Sequence, residues 1–166
     1  MDNNGFCASA RGFTLIEMMV VIVLIAVMLG LALPSFNGLI ERYRVEGMAR
    51  ALMASVSHAR AEAARRGKTV TIRQRPECKG QDWSCGWDTV AGSGNAIELL
   101  KRQDPDGRVA IEKSPSGAMP FDAMGYSTVG ASFRFRPSDS ENSPNAATVC
   151  LALGGRVRLV KGGREC

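Results

Sequence analysis

Gly12, Phe13 and Glu17 stand together at the start of a long apolar run, the first place in this chain where residue types point to chemistry. A carboxylate held in hydrocarbon is costly unless it finds a partner. A chain cut after Gly12 would carry a new amine on Phe13, with Glu17 at the fifth position of the shortened chain. The carboxylate would then lie near the positive end of a new helix, within reach of the amine of a neighbouring copy. The second place is the set of five cysteines: Cys7, Cys78, Cys85, Cys150 and Cys166. Loss of residues 1–12 removes Cys7 and leaves four, which suits two disulfides in an oxidising compartment. Four cysteines permit three pairings. Cys78–Cys85 and Cys150–Cys166 are favoured because each pair flanks one compact segment. The second closes a loop worth about 3 kcal/mol by chain-entropy reasoning. Zinc held by four thiolates is the rival, weakened by the lack of Cys-x-x-Cys spacing.

The third place is the basic C-terminal stretch Gly155-Arg156-Val157-Arg158, followed by Lys161 and Arg164. As a strand over 156–160, it points Arg156 and Arg158 to one face, about 6.5 Å apart. Val157 and Leu159 then point to the core. Two guanidiniums on an exposed edge suit a phosphate. Gly154-Gly155 and Gly162-Gly163 keep the backbone open for close approach. A Cys150–Cys166 bridge would hold this hairpin rigid, so less entropy is lost on binding. A second cluster, Arg60, Arg65, Arg66, Lys68, Arg73 and Arg75, is opposed locally only by Glu62 and reads first as a solvated helix end. Arg134 and Arg136 alternate with Phe133 and Phe135 and are candidates to extend the basic face. Trp83 and Trp87 are assigned to core or disulfide packing in preference to base stacking. With one histidine, His58, no Ser/His/Asp set and no phosphate-cradling Gly loop, the sequence points to no catalytic residue, metal or cofactor.

The elements that must position these groups follow from periodicity. The chain has 166 residues, near the size of one domain, with 45% hydrophobic and 22% charged residues, which argues against wholesale disorder. Met18 to Leu33 holds no charged or polar side chain, and Phe13 to Leu33 is 21 residues, enough to span a bilayer as a helix. No second such run exists, so a multi-span protein is excluded. The formal net charge is +5, and a basic exposed part suits an acidic partner such as nucleic acid. Pro34 bends or interrupts the helix. The apolar stripe Phe36, Ile40, Tyr43, Met48, Leu52, Val56, Ala59 and Ala63 then carries it on to a stop at Gly67. Short strands are expected at 70–73, 86–90, 97–102, 108–112, 131–136, 148–153 and 156–160. Linkers rich in Gly, Pro and Ser lie between them at 114–120 and 137–145, and Asp104 to Gly107 reads as a hairpin turn. One helix followed by about seven strands makes an α+β head of two antiparallel sheets against a helix.

Arg11-Gly12-Phe13-Thr14-Leu15-Ile16-Glu17, followed by the apolar run, resembles the class III signal of type IV prepilins and type II secretion pseudopilins. Ala59 to Ala63 leading into Arg65-Arg66-Gly67, Cys85-Gly86-Trp87 and Gly155-Arg156-Val157-Arg158 resemble the FimT/FimU minor pilins, which share their fold with the pseudopilin GspH. The resemblance implies a type IV pilin-like fold. It divides the chain into a leader (1–12), a transmembrane and filament-core helix (13–34), an amphipathic half-helix (35–67) and a β-rich head (68–166). It implies cleavage between Gly12 and Phe13 by prepilin peptidase, N-methylation of Phe13, and a filament-docking role for Glu17. The implied location is the inner membrane, with the head in the periplasm, and then the pilus surface among other major and minor pilins. The count of basic residues runs the other way: Arg11 is opposed by Asp2, while Arg42, Arg44 and Arg50 follow the span. The specific signal and the cysteines outweigh that count.

In FimT-like pilins a Gly-Arg-x-Arg motif at this place is associated with DNA binding during natural transformation. Gly155, Arg156 and Arg158 match it. The expectation is therefore a minor pilin at the pilus tip that holds DNA through phosphate contacts by Arg156, Arg158, Lys161 and Arg164. Two alternatives stand beside it: a minor pilin that primes pilus assembly without touching DNA, and a GspH-like pseudopilin of type II secretion.

Overall fold

The computed structural model describes residues 12–92, 94, 96–162 and 166, with the backbone alone at 31–35. The chain falls into two units, one ending at Asn37 and the other running from Gly38 to Cys166. A single helix, α1 (Leu15–Arg66), continues through Pro34 and contributes to both.

In the first unit every described side chain of α1 is exposed, from Leu15 to Leu29 and again at Phe36. Among the described residues no helix is long and apolar enough to cross a membrane. The expected span runs on through 31–33, whose side chains lie outside the description.

In the second unit α1 buries Val45, Met48, Ala49, Leu52, Val56, Ala59 and Ala63. Steps of three and four residues put these on one face of a helix. The expected stripe starts too early: Phe36 is 53% exposed, Ile40 47% and Tyr43 69%. α1 stops at Gly67, whose φ of +61° suits a residue without Cβ. The Lys68 N–H then returns to the Ala63 carbonyl at 3.3 Å and satisfies an orphan acceptor of the last turn.

Eight strands follow: β1 (Val70–Gln74), β2 (Trp87–Ala91), β3 (Glu98–Gln103), β4 (Val109–Ser114), β5 (Met119–Phe121), β6 (Ala131–Pro137), β7 (Ala147–Leu151) and β8 (Val157–Lys161). They form two antiparallel sheets, ordered β3-β2-β1-β5 and β4-β6-β7-β8. The fold is the expected pilin-like α+β arrangement, a long helix and two four-stranded sheets. One strand escaped the sequence reading. β5 overlaps the end of the linker expected at 114–120, is three residues long, and carries Pro120 opposite Thr71 on a sheet edge, where a missing N–H is tolerated. The expected hairpin at Asp104–Gly107 is instead a crossover. β3 and β4 are edge strands of different sheets, and the turn is closed by Arg108 N–H donating to Asp106 Oδ1 at 3.0 Å.

The core lies among α1 and the two inner sheet faces. Alternation along β6 sends Ala131, Phe133 and Phe135 inward and Ser132, Arg134 and Arg136 outward. Both tryptophans belong to this core. Trp87 is 1% exposed and donates its indole N–H to Ser55 Oγ at 3.0 Å. Trp83 is fully buried and meets Phe133 edge-on, with ring centroids 5.1 Å apart. Neither ring is available to stack on a base.

Candidate functional site

Two places carry the sequence-derived site residues. At the N-terminus, Gly12 and Phe13 precede α1 and are exposed. Thr14 caps the helix: its Oγ1 accepts the Glu17 N–H at 3.3 Å, and its carbonyl accepts the Met18 N–H at 3.2 Å. Glu17 is thus the third residue of the first turn, where the free N–H groups of the helix favour a negative charge. Thr14 was missed as a functional residue. Its signal was the Thr-x-x-Glu spacing of a capping box.

The second place is the outer face and free edge of the β4-β6-β7-β8 sheet. Here the register forms two neighbouring rows. One runs Ser114, Ser132, Cys150, Arg158 and the next runs Glu112, Arg134, Thr148, Val160. β8 pairs only with β7, so it is the edge. Arg156 lies just before β8 and is held in the ladder by its carbonyl, which accepts the Ala152 N–H at 2.9 Å. Arg156 and Arg158 are both exposed and make no ion pair with a described residue. Val157, between them, and Leu159, after Arg158, pack on the core. With Cys150 and Cys166 the two arginines line a groove of about 280 Å³. Cys150 is bonded to Cys166, and Cys78 to Cys85.

The other expected members are used differently. Lys161 donates to Glu46 Oε1 at 3.0 Å and is tied to the helix. The same buried carboxylate accepts Arg42 at 2.9 Å and Arg50 at 3.0 Å. The hydrogen bond from Arg42, and then that from Lys161, hold the Glu46 carboxyl below its usual range despite the opposing effect of burial. Arg164 and Gly163 lie outside the described residues. Gly155 is buried with φ +85°, and a Cβ there would stand 3.1 Å from Arg60 Nε. Arg60 itself donates to the Gly125 carbonyl at 2.8 Å and the Gly155 carbonyl at 3.1 Å. The first glycine of the motif therefore allows the β7–β8 turn to sit against α1.

Three members of the helix-end cluster, Arg65, Arg66 and Arg75, are paired with acids both near and remote in sequence. Arg65 and Arg66 grip Glu62, whose carboxyl is lowered to about 2 by the hydrogen bonds from Arg65 and then Arg66. Arg66 also pairs with Glu98, and Arg75 with Asp104 and Glu77. On the open face, Arg136 pairs with Glu112 at 2.8 Å, while Arg134 donates to the Glu141 carbonyl at 3.0 Å. Among the described residues no group of three or more His, Cys, Asp or Glu side chains could hold a metal ion.

Residues 7–33 match the prokaryotic N-terminal methylation motif, and residues 48–155 match the family described as type II transport protein GspH. The chain belongs to the GspH family. Within and around that family, it is 32% identical over 164 residues to the pilin-like protein PilA1 of Thermus thermophilus, covering 90% of this chain and 91% of that one. Its fold is similar to the type IV minor pilin FimU of Pseudomonas aeruginosa, with a TM-score of 0.62, 19% identity, and coverage of 75% and 93% of the two chains. It is also similar to the minor pseudopilin EpsH of the Vibrio cholerae type 2 secretion system, with a TM-score of 0.56, 11% identity, and coverage of 72% and 98%. As a GspH-family member with the methylation motif, the chain is a minor pilin or pseudopilin, a structural and non-enzymatic protein. Membership implies processing by prepilin peptidase, anchoring in the inner membrane before assembly, and assembly with other pilins.

Proposed function

We propose that this GspH-family protein is a minor pilin of a type IV pilus, placed at the tip, that binds DNA without sequence preference for uptake in natural transformation. The observation that carries this reading is the state of Arg156 and Arg158. Both are exposed on a sheet edge, on one face, without an ion pair to a described residue. Seven other arginines (Arg42, Arg50, Arg65, Arg66, Arg75, Arg102 and Arg136) are paired with carboxylates. Guanidiniums on alternate residues of a strand, about 6.5 Å apart along the backbone, match the spacing of neighbouring phosphates. Lys161 adds positive charge nearby, partly screened by Glu46. Before assembly the head lies in the periplasm, and afterwards at the pilus surface.

The second reading is a minor pilin that primes pilus assembly without DNA. Gly155 favours it, because its packing against Arg60 accounts for the glycine with no ligand present. A GspH-like role in type II secretion shares this support. The deciding experiment is fluorescence anisotropy of the whole chain in nonionic detergent with labelled duplex DNA at two salt concentrations. The Arg156→Gln/Arg158→Gln double variant runs alongside, with circular dichroism to show that it folds. Salt-sensitive binding lost in the variant supports DNA reception. No binding by the unaltered chain at low salt leaves assembly or secretion as the function.

A further inference from the structure

The open face of the sheet carries a second groove that the edge motif does not include. It has a volume of about 500 Å³ and runs between Ser132, Arg134 and Thr148 on one side and Gln81, Glu112 and Ser114 on the other. Cys166 lines both this groove and the one at Arg156 and Arg158, so the two adjoin on one face. Two cations line it: Lys113, whose ammonium is directed at the Pro115 carbonyl, and Arg134. One guanidinium nitrogen is occupied by the Glu141 carbonyl, while Nε is buried without a hydrogen-bond partner. A buried donor left unpaired is costly, so the site favours an acceptor that can enter. The groove's own acid, Glu112, is already neutralised by Arg136. The hydroxyls of Ser114 and Thr148 add neutral donors, while that of Ser132 already donates to the Ser114 carbonyl. The register places Arg134 one row along and two strands across from Arg158. That is about 10 Å across the sheet and about 7 Å along it.

We infer that Arg134 holds a second phosphate in this groove, so that DNA lies across β8, β7 and β6 rather than along β8 alone. This rests on the DNA-binding reading above. Both tryptophans are buried, so neither stacks on a base, and the contact argued here is with backbone phosphate.

The test measures the salt dependence of duplex binding by the whole chain in detergent. Each phosphate contact contributes about 0.9 to the slope of log affinity against log salt. Arg134→Gln is expected to lower the slope by about one contact and weaken binding several-fold at low salt, with Arg134→Lys restoring the slope. Arg65→Gln, on α1 and already paired with Glu62, is expected to leave the slope unchanged. Ser114→Glu covers the case in which Arg134→Gln does not fold. Ser114 is exposed, borders the groove and lies three strands from Arg158, about 14 Å away and beyond the ~8 Å screening length of physiological salt. An added carboxylate there should weaken DNA held in the groove and spare DNA held on the edge alone. Unchanged slopes for Arg134→Gln and unchanged affinity for Ser114→Glu, with binding still lost in the Arg156/Arg158 variant, overturn the inference and leave the edge site standing. Absence of binding by the unaltered chain brings down both.

Discussion

Arg60 and Glu46 show how single side chains set the shape of the basic edge. Arg60 reaches from α1 to two backbone carbonyls, Gly125 and Gly155, and so ties two turns to the helix. Gly155→Ala would place a Cβ against that guanidinium and force a left-handed φ on a residue that disfavours it. The expected loss is about 1–3 kcal/mol in chemical denaturation. Such a variant, if folded, should keep its salt-dependent binding, because Arg156 and Arg158 make the phosphate contacts. Glu46 draws Lys161, Arg42 and Arg50 together and is buried. Its carboxyl is lowered in the folded chain, so its contribution is fully present above the unfolded value of about 4.3 and is lost as pH falls through the folded value. Unfolding free energy should therefore drop as pH falls below about 4.3. Glu46→Gln should start lower at neutral pH and show a shallower drop. Glu62, held at about 2 by Arg65 and Arg66, adds to the same slope, so the flattening is partial.

Among the elements, β8 is one whose hold is weak. It is an edge strand, its inward side chains are only partly buried, and it follows a turn of two positive-φ glycines. The Cys150–Cys166 bridge joins β7 to the chain beyond β8 across a separation of 16 residues. Replacing both cysteines with serine should lower the unfolding free energy by about 3 kcal/mol. Amide exchange should quicken selectively over β8, because local opening there costs less than global unfolding. Unchanged exchange at β8 would mean that the strand pairing with β7 holds this edge without the bridge. The sequence pattern found β8 because Val157 and Leu159 alternate with arginines. It passed over β5, whose three residues are too few for alternation to register and whose pairing with β1 spans a long stretch of chain. The helical stripe was legible from Met48 to Ala63 but extended wrongly to Phe36, Ile40 and Tyr43. Periodicity marks an apolar face and says nothing about whether this chain covers it.

For the molecule as a whole, the N-terminal motif implies anchoring in the inner membrane before assembly. Thr14 caps the helix within the chain, and Glu17 presents a carboxylate at its first turn. Glu17→Ala is expected to leave a processed, membrane-inserted protein that enters filaments poorly, read by immunoblot of sheared pili against membranes. Normal recovery in the filament fraction would remove Glu17 from docking.

The family and the fold class were readable from residues close in sequence. A peptidase signal, a helical period and strand alternation are local patterns that need no tertiary contact to exist. The chemistry of the basic face was readable only in part. Arg156 and Arg158 stood out because a two-residue spacing in a strand is local. Which cations remain available was not, because their partners are distant in sequence. Lys161 meets Glu46, Arg66 meets Glu98, and Arg136 meets Glu112. Gly155 looked like an open approach to phosphate and is a packing site for Arg60, 95 residues away. Net charge is a sum over composition, whereas an electrostatic surface is what remains after the fold has brought opposite charges together.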